Sequence, residues 1–286
     1  MPNCDGHFRS RVDSIRCALL SPRLPLFPRL PTLAGALLFA LSALTVPARA
    51  AEAIADYAVS LGKTNIATVT IGLRDDGKHY RLDANARITG LASLVASGSG
   101  KITSEGSSSS SALNSERFDL LTTSGGEDFT VAVTYASRNV QSFVIDPPLI
   151  NNIDRVAIER KHLTGVNDMI AAFVLKGGAL DQNLCNRKMQ IFTGLERFNL
   201  AFRFTKEDVA TSKKTGYQGP VILCNIRYTP ISGHFTTSEV TNYLKESDRI
   251  LIWYAPLKTP GTFIPYRVLL TTSMGDLSMV LTRLQQ

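Results

Sequence analysis

An alternating pattern of apolar and polar residues recurs along the chain and predicts half-buried β-strands. In the segment 67–74 one face is apolar and consists of Ala67, Val69, Ile71 and Leu73. Asp76-Gly77 follows and provides turn chemistry that permits a left-handed residue. In the segment 80–89 the apolar face returns as Tyr80, Leu82, Ala84, Ala86 and Ile88. The two segments together predict a β-hairpin.

The rest of the chain continues this strand-and-turn pattern and adds two stretches with helical character. Further strands are predicted at 113–123, 127–135, 138–145, 188–193, 197–206, 220–229, 249–255, 262–272 and in a last segment that ends near 284. The Ser- and Gly-rich segment 98–111 is open to two interpretations, a linker or a strand of a meander. Helices are predicted at 164–176, ended by Gly177-Gly178, and at 236–247. About ten strands without βαβ units predict an all-β fold: a single antiparallel barrel-like or half-barrel domain with two short helices, after an N-terminal signal sequence.

The first 50 residues have the organisation of a secretory signal sequence. An Arg-containing segment precedes an uncharged run at 33–44, and Ala48-Arg49-Ala50 supplies an A-x-A cleavage pattern. The alternative is a membrane anchor, but a membrane-spanning helix needs about 20 apolar residues, and this run is much shorter. No adjacent Arg pair precedes the run. We therefore expect export by the general secretory route, cleavage of the signal peptide 1–50, no stable membrane span after cleavage, and a single β-rich periplasmic domain at 51–286.

The basic charge of the chain does not indicate a nucleic-acid partner. The formal net charge is +7, from 31 Lys and Arg against 24 Asp and Glu. Residues 1–50 contain six of the Arg and two of the Asp, which leaves 25 basic and 22 acidic residues in 51–286. Most of the excess charge therefore belongs to the predicted signal peptide, and we expect no nucleic-acid binding.

Two cysteines, Cys185 and Cys224, remain in the predicted domain. An even pair in an oxidising compartment is most simply a disulfide. The alternatives are a metal site, for which nearby His or Cys partners are lacking, and two independent buried thiols. A disulfide that closes a loop of about 39 residues would stabilise the fold by about 4 kcal/mol in the chain-entropy account.

Several segments together resemble a large uncharacterised family of exported bacterial proteins, the domain of unknown function 3108. The resemblance covers most of residues 55–284 and is carried by the segments 57–68, 76–77, 185–194, 197–200, 224–234, 252–256, 264–267 and 272–277. Related proteins often have Phe-Asp-Gly where this chain has Phe192-Thr193-Gly194, so a role of that Asp does not carry over. The resemblance implies a periplasmic β-rich fold with the cysteine pair, and it implies no activity.

Known catalytic and cofactor motifs are not matched in a suitable context. Ser60 and Lys63 have the S-x-x-K spacing of a serine nucleophile and its base, but they open a predicted strand, where positions i and i+3 point to opposite faces. Gly98-Ser-Gly-Lys101 is not a phosphate-binding loop, because Val95 replaces its first Gly and Ile102 follows the Lys. The three histidines of the domain have no metal-ligand spacing to one another or to a cysteine: His79, His162 and His234. The sequence predicts no catalytic residue, metal site or cofactor.

Four basic residues are candidates for a ligand site: Arg197, Arg203, Arg227 and His234. His234 follows the strand of Cys224, in a loop that a disulfide would hold in place, and loops on rigid scaffolds often carry function. The three arginines lie on nearby predicted strands, so the four side chains together could line a pocket for an anion. The simpler interpretation of His234 is a solvated or hydrogen-bonded loop residue.

The leading functional hypothesis is a periplasmic protein with a non-enzymatic binding or envelope-maintenance role that holds a lipid or other amphipathic ligand. A curved sheet makes an apolar container, whereas a fully packed inner face would contradict the ligand. Seven aromatic residues could line such a cavity or form ordinary core: Phe198, Phe202, Phe204, Tyr228, Trp253, Tyr254 and Tyr266.

One alternative is an envelope hydrolase whose site brings His234 together with a carboxylate and a hydroxyl. Another is an interaction scaffold, which an exposed apolar patch or an unpaired edge strand would favour.

Overall fold

Fourteen strands make up most of the chain that the structure describes. The structure is a computed structural model that describes residues 51–94, 97–150, 152–272 and 275–286. The predicted signal peptide, residues 1–50, lies outside the described residues. The first seven strands are β1 (Ala51–Leu61), β2 (Thr64–Asp75), β3 (His79–Ile88), β4 (Gly98–Ser108), β5 (Leu113–Ser124), β6 (Glu127–Ala136) and β7 (Asn139–Asp146). The other seven are β8 (Leu175–Lys176), β9 (Lys188–Phe192), β10 (Arg197–Ala210), β11 (Gly219–Ser232), β12 (Ile250–Pro256), β13 (Thr262–Thr272) and β14 (Gly275–Gln285).

Two short α-helices interrupt the strands within the described residues. Helix α1 (Met169–Phe173) is capped by the Asp168 side chain, and helix α2 (Glu239–Glu246) is capped by the Ser238 side chain. Both caps follow the preference for Asp and Ser at the residue before the first helical turn. Three turns of 3₁₀-helix complete the helical segments, at Gly90–Leu94, Arg160–Leu163 and Gln182–Cys185.

All the strands belong to one antiparallel sheet. Strands β1 to β7 form a meander in which each strand pairs with the next, and β9 to β14 form a second meander. The two meanders join where β1 pairs with β14. The short strand β8 pairs with the beginning of β13. At the β2–β3 turn Gly77 has φ +85°, a left-handed backbone that a residue without a Cβ adopts at little cost.

The two ends of the sheet lie against each other without forming a closed hydrogen-bond ladder. The Phe143 ring on β7 packs edge-on against the Phe192 ring on β9 at 5.3 Å between centroids, and the Tyr135 hydroxyl donates to the Phe192 carbonyl at 2.9 Å. Gly194 (φ +86°) packs so tightly beside Val131 that an added Cβ would collide with it. The sheet therefore curves into a half-barrel, as the sequence pattern predicts.

Two cores result from this curvature. The first lies on the inner face of the β1–β6 region and the adjoining strands β13 and β14, and it includes Tyr57, Leu82 and Phe118. The second packs around β9–β13 and includes Ile226 and Tyr254. Five of the seven aromatic residues singled out above pack in or against this second core: Phe198, Phe202, Phe204, Tyr228 and Tyr254.

Among the predicted single elements, one helix needs correction, one open alternative is decided and the hairpin is confirmed. The predicted helix 164–176 is wrong in length, because α1 begins after Asp168 and ends at Phe173, and Leu175–Lys176 pairs with β13 instead. Gly165 has φ +68°, which a helix does not allow. The segment 98–111 is largely strand β4 rather than a linker. The hairpin is confirmed, since its predicted apolar faces point inward on β2 and β3.

Candidate ligand-binding cavity

A cavity of about 320 Å³ opens inside the half-barrel. Its wall comes from strands β1–β4, β13 and β14 on one side and from helix α1 on the other. The lining consists of apolar side chains and one tyrosine: Ala53, Ala55, Tyr57, Val69, Ile71, Leu73, Leu82, Ala84, Ile102, Met169, Ile170, Phe173, Val174, Ile264, Pro265, Val268 and Met279. The Tyr57 hydroxyl donates to the Pro265 carbonyl at 2.9 Å. The described lining therefore offers an apolar surface without a charged group.

The most exposed residue of the cavity lining, Met169, lies on helix α1. Met169 is 36 % exposed, while Ile170 and Val174 are buried. Phe173 and, from β14, Met279 are half-buried. Methionine is unbranched and adapts its shape to a neighbouring apolar group. The exposed Met169 side chain can therefore adjust its shape to an apolar chain beside it.

A buried polar network fixes helix α1 to the inner face of the sheet. One carboxylate oxygen of Asp168 accepts hydrogen bonds from the backbone N–H groups of Ile170 and Ala171, both at 2.8 Å. The other accepts from the Ser104 hydroxyl at 2.6 Å and from the Ser115 hydroxyl. Asp168 and Ser104 are completely buried. The wall of the cavity thus depends on one carboxyl group that joins α1 to β4 and β5.

Neighbouring groups complete this network. The hydroxyl groups of Tyr80 and Ser104 share a hydrogen bond at 2.9 Å. The Asn167 side chain accepts from the Ser115 N–H at 2.7 Å and donates to the Leu113 carbonyl at 2.8 Å. Gly106 lies at a register shift between β4 and β5, where an added Cβ would collide with the Asn114 backbone. A residue without a side chain is therefore needed there for β5 to approach β4.

Complete burial raises the pKa of Asp168, although the hydrogen bonds from Ser104, Ser115 and the helix N–H groups act in the opposite direction. A carboxyl whose pKa is higher in the folded than in the unfolded state binds its proton more tightly when folded. The resulting stabilisation is complete at pH values below the pKa of the unfolded state, about 4. It is lost as the pH rises through the pKa of the folded state.

We expect the substitution Asp168→Asn to remove this dependence. The stability of the wild type relative to the variant should fall as the pH rises from about 4, measured by urea unfolding at a series of pH values. Asp181→Asn is a matched control, because Asp181 caps the short helical turn Gln182–Cys185 and is not buried. A constant difference between wild type and Asp168→Asn across the series would contradict the raised pKa.

A second buried polar group lies where β2, β8 and β13 meet. The Lys176 Nζ donates to the Asp75 carboxylate at 2.7 Å and to the Thr262 hydroxyl at 3.0 Å. The side chains of Lys176 and Asp75 are 8 % and 2 % exposed. Sequence reasoning placed Lys176 at the end of a helix and gave Asp75 no role. Their separation of 101 residues left no local signal of the pair.

The four candidate ligand residues do not form one site. Arg203 and Arg227 line the same cleft on the outer face of β10 and β11. Arg197 is buried elsewhere and donates to the His162 carbonyl, the Gln190 side chain and other neutral acceptors. Burial lowers the pKa of Arg197. His234 Nδ1 is buried and has no hydrogen-bond partner among the residues that the structure describes.

The two cysteines lie at disulfide distance, as the sequence predicts. Their Cα atoms are 5.4 Å apart, and the pair joins the helical turn Gln182–Cys185 to strand β11. Both residues are completely buried in the second core. Across residues 51–94, 97–150, 152–272 and 275–286, no group of three or more His, Cys, Asp or Glu is arranged to hold a metal ion. The helices in these ranges are all too short or too polar to cross a membrane.

Comparison with known proteins gives a family without a known function. The family model described as "Protein of unknown function (DUF3108)" matches residues 56–282. No curated protein matches the chain. A solved structure with similarity to the chain is described as a beta-barrel-like protein of domain of unknown function DUF1849 from Brucella abortus. It has 9 % sequence identity and a TM-score of 0.48, over 82 % of this chain and 97 % of that chain.

Proposed function

The chain belongs to the DUF3108 family, whose function is unknown, and we propose that it is a non-enzymatic binding protein that holds the acyl chain of a lipid or another amphipathic molecule inside the half-barrel. The observation that carries the proposal is the apolar cavity of about 320 Å³ between the sheet and helix α1. The proposal includes action in the periplasm, in support of envelope maintenance. That part rests on the export signal read in residues 1–50.

The physical chemistry of the cavity favours an acyl chain over a polar ligand. Ligand pockets commonly have volumes of about 300 to 1,000 Å³ and are mainly apolar. Water in such a lining finds few hydrogen-bond partners. Each methylene group that replaces it contributes about 0.8 kcal/mol. The charged or polar end of the ligand would remain in solvent beside the exposed Met169, since the described lining has no charged side chain.

The hydrolase alternative has less support. It requires His234 beside a carboxylate and a hydroxyl, and in the described part of the chain no group hydrogen-bonds to His234 Nδ1. The Asp168 carboxyl, which does contact two serine hydroxyls, is completely buried and is not associated with a histidine. Within the described residues, His234 is therefore not paired through Nδ1 with a carboxylate, and Asp168 does not orient the imidazole of a histidine, as general-base catalysis would need.

A second candidate function, docking of another protein, is favoured by strand β7. This strand is an end of the sheet order and pairs with β6. Its Val144 side chain is 63 % exposed. An edge strand with exposed apolar side chains can accept a strand from a partner.

The first test is native mass spectrometry, with organic extraction, of the protein purified from the periplasm of a bacterium that expresses the full chain. We expect a lipid or similar amphipath in stoichiometric amount. A protein that is empty and also fails to bind a long-chain fluorescent fatty acid would overturn the proposal. Recovery in the cytoplasm only, with the first 50 residues intact, would overturn the periplasmic part.

A variant that fills the cavity should lose the ligand. Ala55 lines the cavity on β1, and Ala55→Phe places a ring in the volume that the acyl chain would take. We expect fluorescent fatty acid affinity to fall about tenfold or more, which corresponds to 1.4 kcal/mol. Ala58→Phe is the matched control on the other side of the same strand, where Ala58 pairs with the exposed Thr68. Equal affinities for the two variants, both folded by circular dichroism, would contradict binding in the cavity.

A further inference from the structure

Three cations surround a small residue on the outer face of strands β9, β10 and β11. In the register of the sheet Lys188 pairs with Ala201, and Ala201 pairs with Arg227. Arg203 lies two residues beyond Ala201 and therefore on the same face. Because Arg203 pairs with Asn225, it is the diagonal neighbour of Arg227, at a distance that long side chains can span.

None of these three cations is neutralised by the rest of the described chain. Lys188, Arg203 and Arg227 are exposed, and no ion pair joins any of them to a described Asp or Glu. Exposed like charges this close to one another repel. A bound anion would offset that repulsion around Ala201.

A cleft of about 590 Å³ lies on this face. A second cleft, of about 180 Å³ beside helix α1, shares Arg187 and Lys188 with it. The larger cleft adds Arg203 and Arg227, and Asp248 is the one acidic side chain among its described residues. The described lining of the smaller cleft contains no acidic side chain. Positive charge therefore dominates both clefts.

Arg187 lies where the two clefts meet, and its guanidinium group is incompletely satisfied. One terminal N–H group donates to the Lys176 carbonyl at 3.2 Å. The Nε atom is buried and has no hydrogen-bond partner in the part of the chain that the structure describes. Arg187 is only half-buried and lines both clefts, so part of its side chain is accessible to a ligand there.

We infer that Lys188, Arg203 and Arg227, with Arg187 beside them, bind a phosphate-bearing anion on the outer face of the half-barrel. A group of several separate cations matches a multiply charged anion better than it matches a ligand with a single carboxylate. The guanidinium fork binds phosphate oxygens in a bidentate way, while Lys contributes a point charge. Such a ligand could be a free polyphosphorylated molecule or the headgroups of an anionic membrane. Lys188, Arg203 and Arg227 lie on the opposite face of the sheet from the apolar cavity, and none of the three lines it.

Isothermal titration calorimetry with inorganic tripolyphosphate tests the site on the full chain. We expect measurable binding that weakens at high salt and that falls about tenfold or more in Arg203→Ala/Arg227→Ala. Arg87→Ala/Lys101→Ala is the matched control, because Arg87 and Lys101 are exposed diagonal neighbours on β3 and β4. It removes the same charge from the outer face of the other meander, and we expect it to bind as the wild type does.

Co-sedimentation with vesicles distinguishes the two sources of phosphate. Binding to phosphatidylglycerol vesicles but not to phosphatidylcholine vesicles, lost in Arg203→Ala/Arg227→Ala, would identify a membrane headgroup. Binding of tripolyphosphate alone would identify a soluble ligand. Failure of the wild type to bind either probe, or an equal loss in the control variant, would overturn the site.

Discussion

Replacing Lys176 with methionine is expected to lower the free energy of unfolding by about 3 to 5 kcal/mol. The substitution keeps the apolar stem of the side chain and removes the ammonium group that donates to Asp75 and Thr262. The Asp75 carboxylate would then be buried without a compensating charge, which is much more costly than the loss of an exposed ion pair. Urea unfolding at neutral pH, followed by circular dichroism, measures the difference.

Two further variants separate this cause from a general loss of packing. Asp75→Asn/Lys176→Met removes both charges, and we expect it to recover most of the lost stability. Arg74→Met is the control at the position next to Asp75. It breaks the exposed ion pair between Arg74 and Glu52, and such pairs contribute less than about 1 kcal/mol. A double variant as unstable as Lys176→Met would contradict the electrostatic explanation.

The pH dependence of this pair has the opposite sign to that of Asp168. Burial acts to raise the pKa of Asp75, but the hydrogen bond from Lys176 and further hydrogen bonds outweigh it, so the pKa lies below its usual value. The stabilisation is therefore present at pH values above the pKa of Asp75 in the unfolded state, about 4. It is lost as the pH falls through the pKa of Asp75 in the folded state. The deficit of Lys176→Met should accordingly shrink in acid, where Asp75 becomes protonated.

The strands could be predicted from the sequence because their signal is local. Alternation on β2 and β3 identifies the inward residues Val69, Ile71, Leu82 and Ala84 directly, and these four residues line the cavity. The length of helix α1 could not be predicted in the same way. Its limits depend on contacts of Asp168 with Ser104 and Ser115, residues more than 50 positions away.

The candidate ligand residues show the same limit. Arg203 and Arg227 lie on one face because β10 pairs with β11 in a particular register, and their separate sequence segments do not specify that register. Lys188 completes the group through β9 and was not singled out, because an isolated exposed lysine carries no signal. The aromatic residues show the same limit, since alternating aromatics indicate a buried face but not whether that face leaves an open space. Five of the seven pack in or against the second core, the ordinary core that was one of the two interpretations.

The disulfide should be the largest covalent contribution to stability, and its removal in Cys185→Ala/Cys224→Ala is expected to cost about 4 kcal/mol. The bond closes a loop with a sequence separation of 39 residues, so its loss allows the unfolded chain many more conformations. Its burial within the second core adds a packing loss when the sulfur atoms are removed. Urea unfolding of the wild type and the double variant, under oxidising conditions, measures the difference.

Treatment with reductant separates the bond from the packing of the sulfur atoms. We expect dithiothreitol to lower the unfolding midpoint of the wild type towards that of Cys185→Ala/Cys224→Ala and to leave the variant unchanged. The disulfide would be contradicted by a wild type whose unfolding midpoint does not respond to reductant and whose two thiols can be titrated after unfolding without reductant. That result would show that the two cysteines are unpaired. Because the pair fixes the turn Gln182–Cys185 to β11, and Arg187 lies two residues after that turn, reduction should also weaken the binding of tripolyphosphate. The affinity for a fatty acid should change less, since neither cysteine lines the apolar cavity.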